Sequence, residues 1–161
     1  MTNQAEKLAR RSPTRAELAV WREYIETAEA LGRALATGLQ STSGVSSADY
    51  AVLLALSEAE DHRLRSSALA VAIGWERSRL SHHLGRMEAR GLIRRQRSDS
   101  DNRGAAAELT DEGARMFRSA SASHLRLVRE VFVDALTSEE LEDAGKVAAS
   151  LRAHLEKQRG L

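Results

Sequence analysis

Apolar residues recur at three- and four-residue steps in long stretches that lie before and after a central region of shorter elements. The first stretch begins with a T-x-x-E capping pattern at Thr14 and Glu17 and predicts an amphipathic helix to about Gln40. Its apolar positions are Leu18, Trp21, Ile25, Ala28, Leu31, Leu35 and Leu39. A long amphipathic helix beside a small module is typical of a dimerisation element.

A Ser/Gly turn, Ser41 to Ser47, separates this helix from a second one. Ser46 and Asp49 are placed to cap the second helix, which we expect to run from Ser47 to about Ala59. Apolar side chains cover most of its circumference, so we expect it to be buried.

The central region contains two short helical patterns that are separated by Gly74. We expect Ser66 to cap the first, Ser67 to Ile73, and Gly74 to supply the turn because glycine adopts positive φ at little cost. The second pattern runs from about Glu76 to Arg90. Its buried stripe comprises Leu80, Leu84 and Met87, and its opposite face Ser78, Ser81, His82 and Gly85.

Two strand-like runs follow, and a polar tip connects them. The runs are Leu92 to Ser98 and Ala105 to Leu109, the tip is Asp99 to Gly104, and Leu64 is expected as a one-residue strand that pairs with this hairpin. Helix, turn, helix and hairpin together form a winged helix-turn-helix. Such a module places one helix in a DNA major groove and the hairpin tip, or wing, along a neighbouring minor groove.

Two long helices complete the predicted chain. Thr110 caps the first, Asp111 to about Ala135. Thr137 and Glu140 form a capping box for the second, Ser138 to about Lys157.

The predicted fold class is therefore mainly α with a small β-hairpin wing: a winged helix-turn-helix flanked by long dimerisation helices. We expect a single domain over residues 1–161. Within it, residues 14–45 and 111–158 would supply the dimerisation helices, and residues 46–110 the DNA-binding region.

The net charge of +1 conceals one basic region. Between His62 and Arg103 there are ten Arg and four acidic residues, so that segment carries +6 and the rest of the chain −5. Phosphate binding requires local positive charge and not a high global pI, so this distribution favours DNA as the partner.

The chain lacks the residues that several classes of function require. The chain has no Cys, which excludes disulfides and Cys-ligated zinc, and it shows none of the common nucleophile, phosphate-loop or zinc-protease motifs. No apolar run approaches the roughly 18 residues of a membrane span, and the N-terminus has no apolar signal core. We therefore expect a cytoplasmic protein without enzymatic activity, cofactor or membrane contact.

The specific motifs resemble the MarR family of bacterial transcription regulators. L-A-x-x-I-G stands at Leu69 to Gly74, and R-S-R-L-S-x-x-L-x-R-M-E-x-R-G-L-I spans Arg77 to Ile93. D-x-R-G follows at Asp101 to Gly104, and E-L-T-D-E-G at Glu108 to Gly113. The resemblance covers roughly residues 14–158 and implies an obligate homodimer, more often a repressor than an activator, on a palindromic operator.

The resemblance also assigns roles to the wing. It implies that Arg103 enters the minor groove and that Asp101 orients it, although Asp101 is equally suited to shaping the turn. Departures from the family pattern are Glu76 at a position that usually carries a Ser or Thr cap, and the lack of a Pro before the wing Asp. The expected DNA contacts are Arg77, Ser78, Arg79, Ser81, His82, Arg86, Arg95, Arg97, Asp101 and Arg103.

These contacts divide by chemistry. Arg77 or Arg79 is suited to guanine, whereas the remaining arginines of the helix and the wing strand are suited to phosphates. Alternate strand residues point to opposite faces, so Arg94, Arg95 and Arg97 cannot all reach DNA.

Three alternatives concern other ligands and partners. Trp21, Tyr24 and Tyr50 either line a pocket for the small aromatic or phenolic effector that the resemblance implies or serve as core aromatics. A metal-responsive regulator would need more than His82 and His83, because adjacent helical side chains diverge by about 100°. A winged helix used only for protein contacts would not need the basic edges of the second short helix.

Overall fold

The computed structural model describes residues 12–97 and 105–159. Its elements are α1 (Arg15–Ser43), α2 (Ser47–Glu58), β1 (Arg63–Arg65), α3 (Ser66–Ala72), α4 (Arg77–Ala89), β2 (Ile93–Arg97), β3 (Ala105–Leu109), α5 (Asp111–Val128) and α6 (Ser138–Arg159). The predicted class, mainly α with a small β wing, is confirmed. The predicted wing tip, Asp99 to Gly104, lies outside the described residues.

The chain divides into two compact units, residues 1–34 and 35–161. The first unit contains the start of α1 and its predicted capping box. The backbone N–H and hydroxyl of Thr14 both donate to Glu17 Oε2, and the Glu17 N–H donates to Thr14 Oγ1. These bonds satisfy donors that the first turn of a helix would otherwise leave unpaired.

The second unit has an aliphatic core that is built from the winged-helix elements. Fully buried positions are Val45, Val52, Leu53, Leu56, Leu69, Leu80, Leu84, Met87, Leu92 and Ile93. The predicted buried stripe of α4 is thus confirmed, and α2 is buried as expected. This core holds α4 against α2 and leaves its opposite face in solvent.

The wing strands form a three-stranded antiparallel sheet in the order β1-β3-β2. Leu64 pairs with Ala107, as predicted, but the strand extends over three residues because Arg63 and Arg65 pair with Glu108 and Ala106. Glycine turns lie between α3 and α4 and between α4 and β2. Gly74 and Gly91 adopt φ of +67° and +73°. Because few other residues adopt such angles without strain, these two glycines end α3 and α4 sharply.

The predicted end of α1 near Gln40 was wrong, because the Ser/Thr segment that follows continues the helix to Ser43. The Thr42 and Ser43 hydroxyls donate to the carbonyl oxygens of Gly38 and Leu39, each at 2.7 Å. Such back-bonding from a hydroxyl to a preceding turn is compatible with helical backbone. The helix stops at Gly44, whose φ is +65°.

Two further expectations need correction. Ser66 does not cap α3: the N-cap is Arg65, and the Ser66 hydroxyl instead donates to the Ala105 carbonyl of β3 at 2.7 Å. The α-helical part of α5 ends at Val128 rather than near Ala135, because Arg129–Val133 form a π-helical turn. The Asp134 N–H to Arg129 carbonyl bond, 2.8 Å, has the five-residue spacing of that turn.

Candidate nucleic-acid interface

The solvent face of α4 is small and polar. Ser78, Ser81 and His82 are exposed along it, and Arg77 stands exposed at its first residue. In residues 12–97 and 105–159 no hydrogen bond or ion pair engages these four side chains. Their donors and acceptors are therefore available to an external partner, which suits insertion into a groove.

Arg79 is held on the flank of this face by an aromatic ring. Its guanidinium carbon lies 4.2 Å from the centroid of the Trp75 ring, a cation–π contact across an i, i+4 spacing. Trp75 follows directly after Gly74, and its N–H bonds to the Ala70 carbonyl at 2.9 Å. The turn therefore fixes Trp75, and Trp75 restrains Arg79.

Behind the solvent face, a buried polar group joins α4 to α2. The Asp49 and His83 side chains are only 4% and 8% exposed. Asp49 Oδ2 accepts from Arg90 Nη1 at 2.8 Å and from the Ser46 N–H at 3.3 Å. Its Oδ1 lies 3.1 Å from His83 Nε2, an ion-pair distance without the alignment of a full hydrogen bond.

The pKa values of this pair follow from burial and from their partners. Burial raises the pKa of Asp49, but the hydrogen bonds from Arg90 and Ser46 outweigh it and lower the pKa below its ordinary value. Burial lowers the pKa of His83, the Asp49 carboxylate opposes this shift, and the Arg86 guanidinium adds to it. At neutral pH the pair is therefore a carboxylate beside an uncharged imidazole.

The other predicted arginines have partners of their own. Arg86 Nη2 lies 2.9 Å from His83 Nδ1. Arg95 donates to Glu88 through its backbone N–H at 2.9 Å and through Nε at 2.6 Å, and these two bonds lower the pKa of Glu88. These contacts orient Arg86 on α4 and Arg95 on the neighbouring strand β2.

Three predicted contacts have no described side chain. Arg97 ends β2, and nothing is described of its side chain. Asp101 and Arg103 lie outside the described residues. Among the described residues, the structure brings together the six predicted positions on α4 and Arg95 at the base of the wing.

The candidate effector aromatics belong to different units. Trp21 and Tyr24 lie in the first unit, where 61% and 46% of their surface is exposed. Tyr50 is half-buried in the second unit, with ring centroids 5.5 Å from Phe117 and 4.7 Å from His124. Its hydroxyl lies 3.3 Å from Ser121 Oγ. These are the contacts of a core aromatic with a polar edge.

Residues 12–97 and 105–159 contain no group of three or more His, Asp or Glu side chains arranged for a metal ion. None of the helices in those ranges combines the length and the apolarity of a membrane span.

Sequence reasoning missed three positioning residues, and part of the signal was present. Trp75 with Arg79 has the i, i+4 spacing of a helical pair, and His83 with Arg86 has the i, i+3 spacing. Asp49 was identified as a cap only. Its contact with Arg90 joins residues 41 positions apart, and no local pattern indicates such a pair.

Comparison with known proteins adds the family. A MarR family model matches residues 43–104. AbsC, a MarR family transcriptional regulator from Streptomyces coelicolor, is 37% identical, with 92% of this chain and 99% of AbsC covered at a TM-score of 0.84. Sco3205, a MarR family regulator from the same organism whose structure is a complex with DNA, is 38% identical, with 91% of each chain covered at a TM-score of 0.85.

A curated relative is more distant. The transcriptional repressor MprA of Escherichia coli is 25% identical over 113 residues, which cover 70% of this chain. The match spans 64% of the length of MprA, less than two thirds. With the near-complete structural matches above, the chain belongs to the MarR family of transcriptional regulators.

Proposed function

We propose that this chain is a DNA-binding transcription regulator that acts in the cytoplasm as a homodimeric repressor of a palindromic operator. The observation that carries the proposal is the unpartnered polar face of α4, with Ser78, Ser81 and His82 exposed between arginines. A face of short polar side chains with arginine edges fits the major groove. Arg103 would contact the adjacent minor groove from the wing tip.

Selection of bound sequences from random DNA tests this function directly. A homodimer should enrich a palindrome whose half-sites are centred about 10 base pairs apart, and its affinity should fall steeply with salt. Weak binding at low salt with no enriched sequence would favour the other candidate, a winged helix for protein contacts.

Arg103→Ala should weaken binding to the selected operator by about 1–3 kcal/mol, the range of a specific contact to a base. A titration with labelled operator measures this loss. Arg118→Ala is the matched control, because it removes the same charge from an exposed position on α5. Equal affinities of the two variants would remove the wing from the proposal.

The homodimer is supported by apolar side chains that remain exposed in the single chain. Leu18 and Trp21 of α1 are 47% and 61% exposed, and Leu151 and Leu155 of α6 are 46% and 58% exposed. Solvated apolar side chains at helical spacing are typical of a surface that a partner covers. A second copy of the chain would supply that partner.

Leu151→Glu combined with Leu155→Glu should shift the protein from dimer to monomer at micromolar concentration, because four carboxylates would face each other at the twofold interface. Analytical ultracentrifugation measures the mass. The control is Glu139→Gln with Glu142→Gln, which changes two exposed positions near the other end of α6. A double Glu variant that remains dimeric would place the interface elsewhere.

A small aromatic or phenolic effector would modulate DNA affinity by binding two states of the dimer unequally. Trp21, Tyr24 and Tyr50 remain its candidate contacts. A ligand that raises the melting temperature but leaves operator affinity unchanged would not be this effector.

A further inference from the structure

His83 is the point where the polar contacts behind α4 converge. Its Nδ1 lies 2.9 Å from Arg86 Nη2, and its Nε2 lies 3.1 Å from Asp49 Oδ1. The Trp75 ring meets the imidazole edge-on, with centroids 5.3 Å apart and planes at 79°. The Trp75 ring in turn makes the cation–π contact with the Arg79 guanidinium. One buried ring therefore contacts Arg86 directly and Arg79 through a single intermediate.

The partners of the two ring nitrogens select one form of His83. A guanidinium offers only donors, so Nδ1 must accept from Arg86 with its lone pair. The neutral ring then carries its proton on Nε2, which faces a carboxylate that can only accept. Arg86 at Nδ1 and Asp49 at Nε2 therefore both favour the Nε2–H tautomer.

We propose that His83 is a positioning residue for the DNA contacts of α4: its unprotonated Nδ1 holds Arg86 in place, and its ring supports the Trp75 that restrains Arg79. The inference rests on the proposed function and deepens it, because it names a buried residue, without a DNA contact of its own, on which operator affinity depends.

The arrangement predicts a response to acid. Protonation places a second N–H on Nδ1, opposite the guanidinium of Arg86, so that two donors face each other and the contact is lost. The charged groups around the ring are Asp49 on α2, Arg86 on α4 and Arg90, the residue that follows α4. The pKa of His83 lies below its ordinary value, so the contact persists at neutral pH and is lost as the pH falls through that lowered value.

The test compares operator affinity of full-length wild-type protein, His83→Asn and His83→Leu at about pH 7.5 and then in steps to the lowest pH at which the proteins stay folded. The Asn side-chain oxygen can occupy the place of Nδ1 and accept from Arg86, but it does not titrate. At the higher pH we expect His83→Asn, which keeps the acceptor for Arg86 and loses only the ring contact with Trp75, to bind within about threefold of wild type. His83→Leu should bind about tenfold more weakly, as for one lost charge-assisted contact. On acidification wild type should lose about tenfold relative to His83→Asn.

His82 is present in every protein compared, so any contribution it makes cancels in the ratio. A wild-type to His83→Asn ratio that stays unchanged over the pH range in which the ¹⁵N resonances of the His83 ring show its protonation would overturn the inference while leaving the proposed function intact. If His83→Leu does not fold, the ratio of wild-type to His83→Asn affinity still tests the inference. Failure of wild type to bind any selected DNA would overturn the proposed function itself, and this inference with it.

A second measurement requires no DNA. The ¹⁵N resonances of the histidine rings in the free protein report which nitrogen carries the proton. We expect the His83 ring to show the Nε2–H tautomer at neutral pH. Its resonances are identified by their absence from the spectrum of His83→Asn. An Nδ1–H tautomer would overturn the inference whatever the protein binds.

Discussion

Gly113→Ala should destabilise the protein by about 3 kcal/mol, although Ala is the better helix former. Gly113 is buried in the first turn of α5, where a Cβ would overlap the Leu92 carbonyl oxygen and touch the Leu109 side chain. An exchange of Gly for Ala in a helix normally gains about 0.5–1 kcal/mol. Overlap with backbone costs more, because a carbonyl cannot rotate away as a side chain can.

The Leu92 carbonyl has little freedom to move because Thr110 holds it. The Thr110 N–H donates to this oxygen at 3.3 Å. The single Thr110 hydroxyl proton is shared between the Gly91 and Leu92 carbonyls, at 2.7 and 3.0 Å, and the hydroxyl oxygen accepts from the Gly113 N–H at 3.0 Å. These bonds attach the start of α5 to the residue before β2. A side chain at position 113 would therefore open the base of the wing as well as strain the helix.

Denaturant unfolding without DNA measures the loss, at equal protomer concentrations because dimerisation couples to stability. Gly85→Ala is the matched control: it lies in α4, and nothing stands within 4 Å of a Cβ built there. We expect the control to gain about 0.5–1 kcal/mol. Equal behaviour of both variants would mean that the Leu92 carbonyl yields easily.

Local sequence patterns predicted where several helices begin and which of their faces are buried. The periodicity of α4 identified both its buried stripe and its solvent face, and the capping boxes placed the starts of α1, α2 and α6. The end of α1 was missed because serine and threonine are frequent in turns, and only the structure shows their hydroxyls bonded to the preceding turn. Sequence also gave the correct exposure for Ser78, Ser81 and His82.

The polar contacts behind α4 depend on tertiary packing, and local patterns do not encode that. Asp49 was predicted to take part in capping α2 and does so: its N–H donates to Ser46 Oγ at 3.0 Å, and its Oδ2 accepts from the Ser46 N–H at 3.3 Å. Burial of α2 against α4 then brings Arg90 and His83 to the same carboxylate. A residue that satisfies a local rule can thus have a second role that only the packed fold reveals.

Asp49→Ala should accordingly cost more than the loss of a cap. Removal of a capping side chain costs about 1 kcal/mol, and a lost hydrogen bond to a charged group costs about 1.5–3 kcal/mol. Arg90 is 44% exposed and can turn to water, which limits the penalty of its unpaired charge. We therefore expect a loss of about 2–4 kcal/mol at neutral pH by denaturant unfolding.

The pH dependence of the free energy of unfolding distinguishes the effect of the Asp49 charge from the effect of the size and shape of its side chain. The folded-state pKa lies below the unfolded value, so the contribution of the carboxylate is present above the unfolded pKa and is lost as pH falls through the folded one. The deficit of Asp49→Ala should shrink toward that acid limit, whereas Asp49→Asn should show a smaller deficit at neutral pH because its amide oxygen still accepts. Asp143→Ala, at an exposed ion pair with Lys146, should lose little stability, because solvent screens exposed ion pairs. If Asp49→Ala behaves like Asp143→Ala, the buried carboxylate does not join α2 to α4, and the orientation of α4 depends on its apolar stripe alone.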